Sequence, residues 1–261
     1  MFLRDPALSA ADALLAALFA PCCAACSNPL ERPTRGPVCD ACWAAVALVR
    51  PPFCRTCGSM LASWRTLDGA AGLCPLCRRR PGAVDAARSV GPYEGALRDI
   101  VHAFKYEARR TLAPALGGMM REAGCDLLAG AACAVPVPLH PWRRFRRGFN
   151  QSADLARSLG LPVVHALWRM RATAPQTGLP AAGRRRNVRG AFSASPLLSH
   201  RVHRTLIVNR AVVLVDDVRT TGATLDACAR ALKAAGAAEV RTLTVALADH
   251  PARRRRSFHA M

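Results

Sequence analysis

The stretch Val212-Val213-Leu214-Val215-Asp216-Asp217-Val218-Arg219-Thr220-Thr221-Gly222-Ala223-Thr224 decides the fold. The unbroken apolar run from Ala211 to Val215 suits a strand buried on both faces, the usual setting of a parallel sheet. Two acids close the run and a Thr/Gly loop follows. Thr224 to Ala235 then reads as a helix, with Thr224 expected as its N-cap and Gly236 as its stop. Val240 to Leu247 reads as the next strand. Strand, helix, strand in that order implies a parallel pair and an α/β fold.

The same loop points to a ligand. Amides of Thr221, Gly222 and Ala223, together with a helix N-terminus, make a cradle for a phosphate. Gly222 lets the backbone approach closely, and the hydroxyls of Thr220, Thr221 and Thr224 add donors. Asp216 and Asp217 would repel a phosphate and need a different task. Accepting hydrogen bonds from vicinal hydroxyls suits them, which makes the ligand a phosphorylated sugar. The carboxyl end of a parallel strand is also where open α/β sheets bind ligands.

Outward from this core, short apolar runs alternate with helical patterns. Ser89 to Tyr93 is expected as a strand, and Leu97 to Tyr106 as a helix with Leu97, Ile100, Val101 and Phe104 on one face. Ala134 to Pro138 is a short apolar run, and Ser152 to Leu159 a helix stopped by Gly160. The Arg-Arg-Arg-Pro-Gly-Ala break after Cys77 reads as a linker. The expected organisation is a helix over 1–20, a small cysteine-rich domain over 21–80, an α/β domain over 88–250 and a basic, disordered tail over 251–261.

The chain holds 12 cysteines, and eight of them form Cys-x-x-Cys pairs: Cys23/Cys26, Cys39/Cys42, Cys54/Cys57 and Cys74/Cys77. Each pair points two thiolates at one centre, so two pairs complete a tetrahedral zinc site. Thiolate-only ligation leaves no open position, which makes both expected Zn sites structural rather than catalytic. A segment with so few large apolar residues needs such a crosslink to fold. Spacing leaves two points open: sequential or cross-braced pairing, and Cys22 in place of Cys23. Cys125, Cys133 and Cys228 read as ordinary core or surface residues.

Charge narrows the partners. The 261 residues include 37 Lys+Arg against 17 Asp+Glu, a formal net charge of +20. Hydrophobic residues at 51% exclude wholesale disorder, and aromatics at 5% argue against an aromatic-rich sandwich. Arginines cluster at Arg143, Arg144, Arg146 and Arg147, at Arg184, Arg185, Arg186 and Arg189, and at 253–256. Such clusters seek phosphate, nucleic acid or an anionic surface. In the first cluster arginines interleave with Trp142, Phe145 and Phe149. Trp142 and Phe149 are thus candidates to stack on unpaired bases while the arginines neutralise phosphates. No apolar run is long enough to span a bilayer. Ala13 to Ala20 has Asp5 and Asp12 before it and Pro21 after it, which fits an amphipathic helix rather than a signal peptide, so a cytoplasmic location is expected.

Residues 212–224 resemble the phosphoribosyl pyrophosphate (PRPP) motif of type I phosphoribosyltransferases. The whole chain resembles the bacterial ComF family, in which a double zinc ribbon precedes a phosphoribosyltransferase-like domain. Phe104-Lys105-Tyr106, Val135 to Pro141, Arg147-Gly148-Phe149-Asn150-Gln151, Gln176 with Leu179, and Arg186-Asn187-Val188-Arg189 agree with it. The resemblance implies that Asp216 and Asp217 hold the ribose hydroxyls of PRPP and act as the catalytic pair. It implies that Val218, Arg219, Thr220, Thr221, Gly222, Ala223 and Thr224 line the 5′-phosphate. Pro138, Leu139 and His140 would meet pyrophosphate, which arrives with Mg²⁺, and Lys105, Arg186 and Asn187 would be further substrate contacts. Residues 173–192 resemble a mobile hood, although Pro180 to Gly183 is less polar than is usual there. Thr220 stands where some purine-salvage relatives carry an acidic base. The family further implies a role in DNA uptake, with single-stranded DNA and a helicase as partners at the inner face of the membrane. The alternative is a non-catalytic nucleic-acid or partner-binding protein that keeps the fold.

Overall fold

A computed structural model describes residues 6–61, 72–139, 148–170 and 190–248. The helices are α1 (Pro6–Phe19), α2 (Asp40–Ala44), α3 (Pro75–Arg79), α4 (Gly95–Tyr106), α5 (Ala113–Ala123), α6 (Cys125–Leu128), α7 (Gln151–Arg157), α8 (His200–Leu206) and α9 (Ala223–Ala234). The strands are β1 (Ala86–Pro92), β2 (Cys133–Pro136), β3 (Leu167–Arg169), β4 (Phe192–Ala194), β5 (Ala211–Arg219) and β6 (Glu239–Leu247).

Four strands form the central sheet in the order β1-β6-β5-β2, and every pairing in it is parallel. β3 and β4 make a separate antiparallel hairpin. Along β5 the side chains alternate between two cores. Val213 and Val215 join Leu97, Ile100, Phe104, Leu116 and Leu155 on one face. Val212 and Leu214 join Ile207, Leu225, Cys228 and Leu232 on the other. This two-sided burial is why the run reads as continuously apolar.

The expected elements are present, with three shifts. β1 begins at Ala86 rather than Ser89, because Ala86 and Ala87 already pair with Arg241 and Thr242 of β6. β5 runs on through the acid pair to Arg219, since Val218 and Arg219 still pair with Ala246 and Leu247. α9 is capped by Gly222, not Thr224: Gly222 adopts a left-handed conformation at φ 75, and helical geometry begins at Ala223. Gly236 closes α9 as expected, its amide bonding Lys233 O at 2.9 Å.

The cysteine-rich segment covers the exposed edge of β1. Val49 N donates to Val90 O (2.8 Å) and Ala87 N donates to Arg55 O (3.0 Å), so the edge is not left open. Gly91 is the closest approach: a Cβ there would collide with the carbonyl of Ala47. The linker after Cys77 is also fastened down. Ala83 N donates to Asp226 Oδ1 (2.6 Å), and Asp85 pairs with Lys233 Nζ (2.8 Å).

Candidate functional site

β5 delivers Asp216 and Asp217 to the carboxyl edge of the sheet, beside α4 and α7. Lys105, at the end of α4, reaches Asp217 Oδ1 at 2.9 Å. Burial works against the charge on this lysine, but Asp217 outweighs it and raises the Lys105 pKa. Ser152 Oγ of α7 donates to Asp216 Oδ1 at 2.9 Å, which fixes that carboxylate. Burial first, then the charge of Asp217, push the Asp216 pKa up to about 7. One acid is therefore paired with a lysine, while the other sits near its titration point at neutral pH.

The loop follows at once. Among the described residues, the amides of Thr220, Thr221 and Gly222 make no hydrogen bond, and the amide of Ala223 meets only Thr221 Oγ1 at 3.4 Å. A Cβ on Gly222 would stand 3.2 Å from Arg219 Nε, so the position favours glycine both by conformation and by space. Free amides at the mouth of a 12-residue helix form an anion cradle. The Asp216, Asp217 and Lys105 expectations meet here. Ser152 is a participant that sequence reasoning placed on a helix without giving it a role.

Pro138 and Leu139 follow β2 and border a separate cleft of about 810 Å³. Its walls include Arg110, Asp154, Arg157 and Trp168, and neither the acid pair nor the Thr/Gly loop lines it. Arg110 and Arg157 share the buried carboxylate of Asp154, at 2.7 and 2.5 Å. Phe149 requires a correction. It is only 6% exposed and meets Phe104 edge-on with centroids 5.9 Å apart, so its ring packs in the core instead of facing a base. His140, Trp142, Arg143, Arg144, Arg146, Arg147, Arg186, Asn187, most of the 173–192 segment and the 251–261 tail lie outside the described residues.

The zinc ligands gather as two compact sets, Cys23/Cys26/Cys39/Cys42 and Cys54/Cys57/Cys74/Cys77. Pairing is thus sequential and not cross-braced. Cys22 stands outside the first set, its thiol turned to Ala20 O at 3.6 Å. Cys26 Sγ and Cys39 Sγ are 3.8 Å apart, as are Cys57 Sγ and Cys74 Sγ. A tetrahedron with Zn–S of about 2.3 Å requires a sulfur separation of about 3.8 Å, so both sets fit the metal. The ribbons repeat one another in detail: Cys39 N donates to Cys23 Sγ (3.4 Å), and Cys74 N to Cys54 Sγ (3.2 Å).

Comparison with known proteins agrees with this geometry. Residues 14–78 match the double zinc ribbon domain model, and residues 146–260 match the phosphoribosyl transferase domain model. Competence protein F of Haemophilus influenzae is 33% identical over 207 residues, which cover 76% of this chain and 85% of that one. DNA utilization protein YhgH of Escherichia coli is 31% identical over 225 residues, covering 78% and 93%. Competence protein ComFC of Bacillus subtilis is 28% identical, covering 79% and 89%. With a double zinc ribbon docked on a phosphoribosyltransferase-like sheet, and relatives of this identity along most of their length, the chain belongs to the ComF family.

Proposed function

We propose that the chain binds PRPP with Mg²⁺ at the carboxyl end of β5, as a phosphoribosyltransferase-type protein that serves DNA uptake and utilization. The observation that carries this reading is the acid pair, half neutralised by Lys105, directly before a loop of unengaged amides. Asp216 and Asp217 accept hydrogen bonds from the ribose hydroxyls. Lys105 pairs with Asp217, and Ser152 holds Asp216 in the orientation that meets the sugar. The amides of Thr220, Thr221 and Gly222 take the 5′-phosphate, and the missing Cβ of Gly222 lets it approach. Pro138 and Leu139 would border the pyrophosphate, and Mg²⁺ bound with it would supply charge neutralisation. With Thr220 in place of an acid, transfer rests on electrostatic placement of the sugar. Replacing both acids, Asp216→Asn with Asp217→Asn, is expected to leave the chain folded. PRPP and Mg²⁺ should then no longer raise its melting temperature, as they do for the native chain. Equal shifts in both proteins would contradict the assignment.

A second reading, direct contact with single-stranded DNA, is favoured by the cleft beside Gly148. There Arg110 and Arg157 share one acid, and Trp168 is 42% exposed. Fluorescence anisotropy with a labelled single strand should show affinity falling steeply with salt. Replacing Arg143, Arg144, Arg146 and Arg147 by Ala should flatten that slope. No binding at low salt would exclude this reading.

A further inference from the structure

Two contacts flank the phosphate loop, one to the second zinc ribbon and one to the linker that leaves it. Before the loop, Arg219 lays its guanidinium across Gly222 and donates from Nη1 to the main-chain carbonyl of Cys57. After the loop, Asp226 in the first turn of α9 accepts from the amide of Ala83, six residues beyond Cys77. Gly82 lies so close that a Cβ on it would stand 2.7 Å from Asp226 Oδ1. Thr220, Thr221 and Gly222 therefore hang between one anchor on the second ribbon and one on the linker that leaves it.

Arg219 forms no ion pair among the described residues. Its engagement is with the ribbon's main chain. The position of the Cys57 carbonyl depends in turn on how the Cys-x-x-Cys turn is closed. Gly58 N donates to Cys54 O (2.7 Å), Cys54 N donates to Ser59 O (3.0 Å), and Cys74 N donates to Cys54 Sγ (3.2 Å). Four convergent thiolates keep that turn closed only when a cation holds them together. The first ribbon has a different attachment: the chain leaving it bonds β1 through Val49 and Val90.

We propose that Arg219 is a positioning residue that latches the phosphate loop to the second zinc ribbon. Zinc at Cys54/Cys57/Cys74/Cys77 and a phosphorylated ligand at residues 220–224 then bind with positive coupling. The ligand half of this proposal rests on the PRPP reading above, whereas the latch itself does not. Coupling between sites is reciprocal, so each occupant slows the loss of the other. Only one of the two zincs is involved.

The test is zinc release to a chromogenic chelator from the full, zinc-loaded chain, compared with Arg219→Met and Arg219→Lys. Without ligand, Arg219→Met should release one zinc per chain about five-fold faster or more, the lower end of usual site coupling, and leave the other unchanged. Arg219→Lys, which keeps a donor, should recover part of the difference. PRPP with Mg²⁺ should slow release of that same zinc from the native chain and not from Arg219→Met. Identical release from the native chain and Arg219→Met overturns the latch, and so does equal acceleration of both zincs. An Arg219 that touched only the ligand would leave ligand-free release unmoved. If Arg219→Met does not fold, protection of one zinc by PRPP in the native chain decides the matter. If PRPP does not bind the native chain, the PRPP reading falls while the ligand-free comparison still judges the latch.

Discussion

Asp216 and Asp217 are the same side chain on adjacent residues, yet their surroundings differ. Asp217 has a lysine at 2.9 Å; Asp216 has a serine hydroxyl and a like charge beside it. An acid whose folded-state pKa is raised to about 7 favours the folded chain while it is protonated, and this contribution is lost as pH rises through 7. Two consequences follow for Asp216→Asn. Above pH 7 the variant should be more stable than the native chain, by about 1–2 kcal/mol in denaturant titrations. PRPP affinity in the native chain should increase between pH 6 and 8, and the variant should lose both the affinity and its pH dependence. A variant less stable at pH 8 would mean that Asp216 is not held protonated by its site. Sites that sacrifice stability for ligand binding behave in this way. The residue types of the pair are legible in the sequence. Their division of labour is not, because Lys105 and Ser152 come from elements 111 and 64 positions away from Asp216.

The β5–loop–α9 unit was readable as an element because each of its parts obeys a local rule. A strand buried on both faces reads as an apolar run, and an amphipathic helix reads by its period. The cap was not readable in the same way. Thr224 has the better intrinsic preference for an N-cap, but the loop requires a left-handed residue two positions earlier, and only Gly222 meets that without strain. The Gly222→Ala variant should therefore cost about 1–2 kcal/mol in chemical denaturation. It should also weaken PRPP binding more than ten-fold, because its methyl group would push on Arg219. A variant that keeps native affinity would show that the loop amides do not need that geometry. Phe149 illustrates the converse error of pattern reading. The arginines just before it suggest a stacking platform, while the ring belongs to the packing of Phe104.

At the scale of the molecule, the ribbons and the sheet form a joined body. The ribbon segment pairs with the β1 edge, Gly91 admits the Ala47 carbonyl, and the linker grips α9 through Asp226 and Lys233. Spacing alone revealed the four cysteine pairs. Their sequential grouping and the docking on β1 are not legible in that spacing, since both depend on contacts between distant segments. Metal analysis should give close to two zincs per chain, and stripping them should destabilise the sheet as well as the ribbons. A metal content near zero in folded protein would contradict the ribbon assignment. Among the described residues no helix is long and apolar enough to cross a membrane.

The central claim is a live sugar-phosphate site at the end of β5. Its most direct test is calorimetric titration of PRPP into the zinc-loaded native chain, with and without Mg²⁺. Micromolar binding that needs Mg²⁺ and disappears when Asp216 and Asp217 are both replaced by Asn is the expected result. No heat of binding to the native chain under any of these conditions would contradict it.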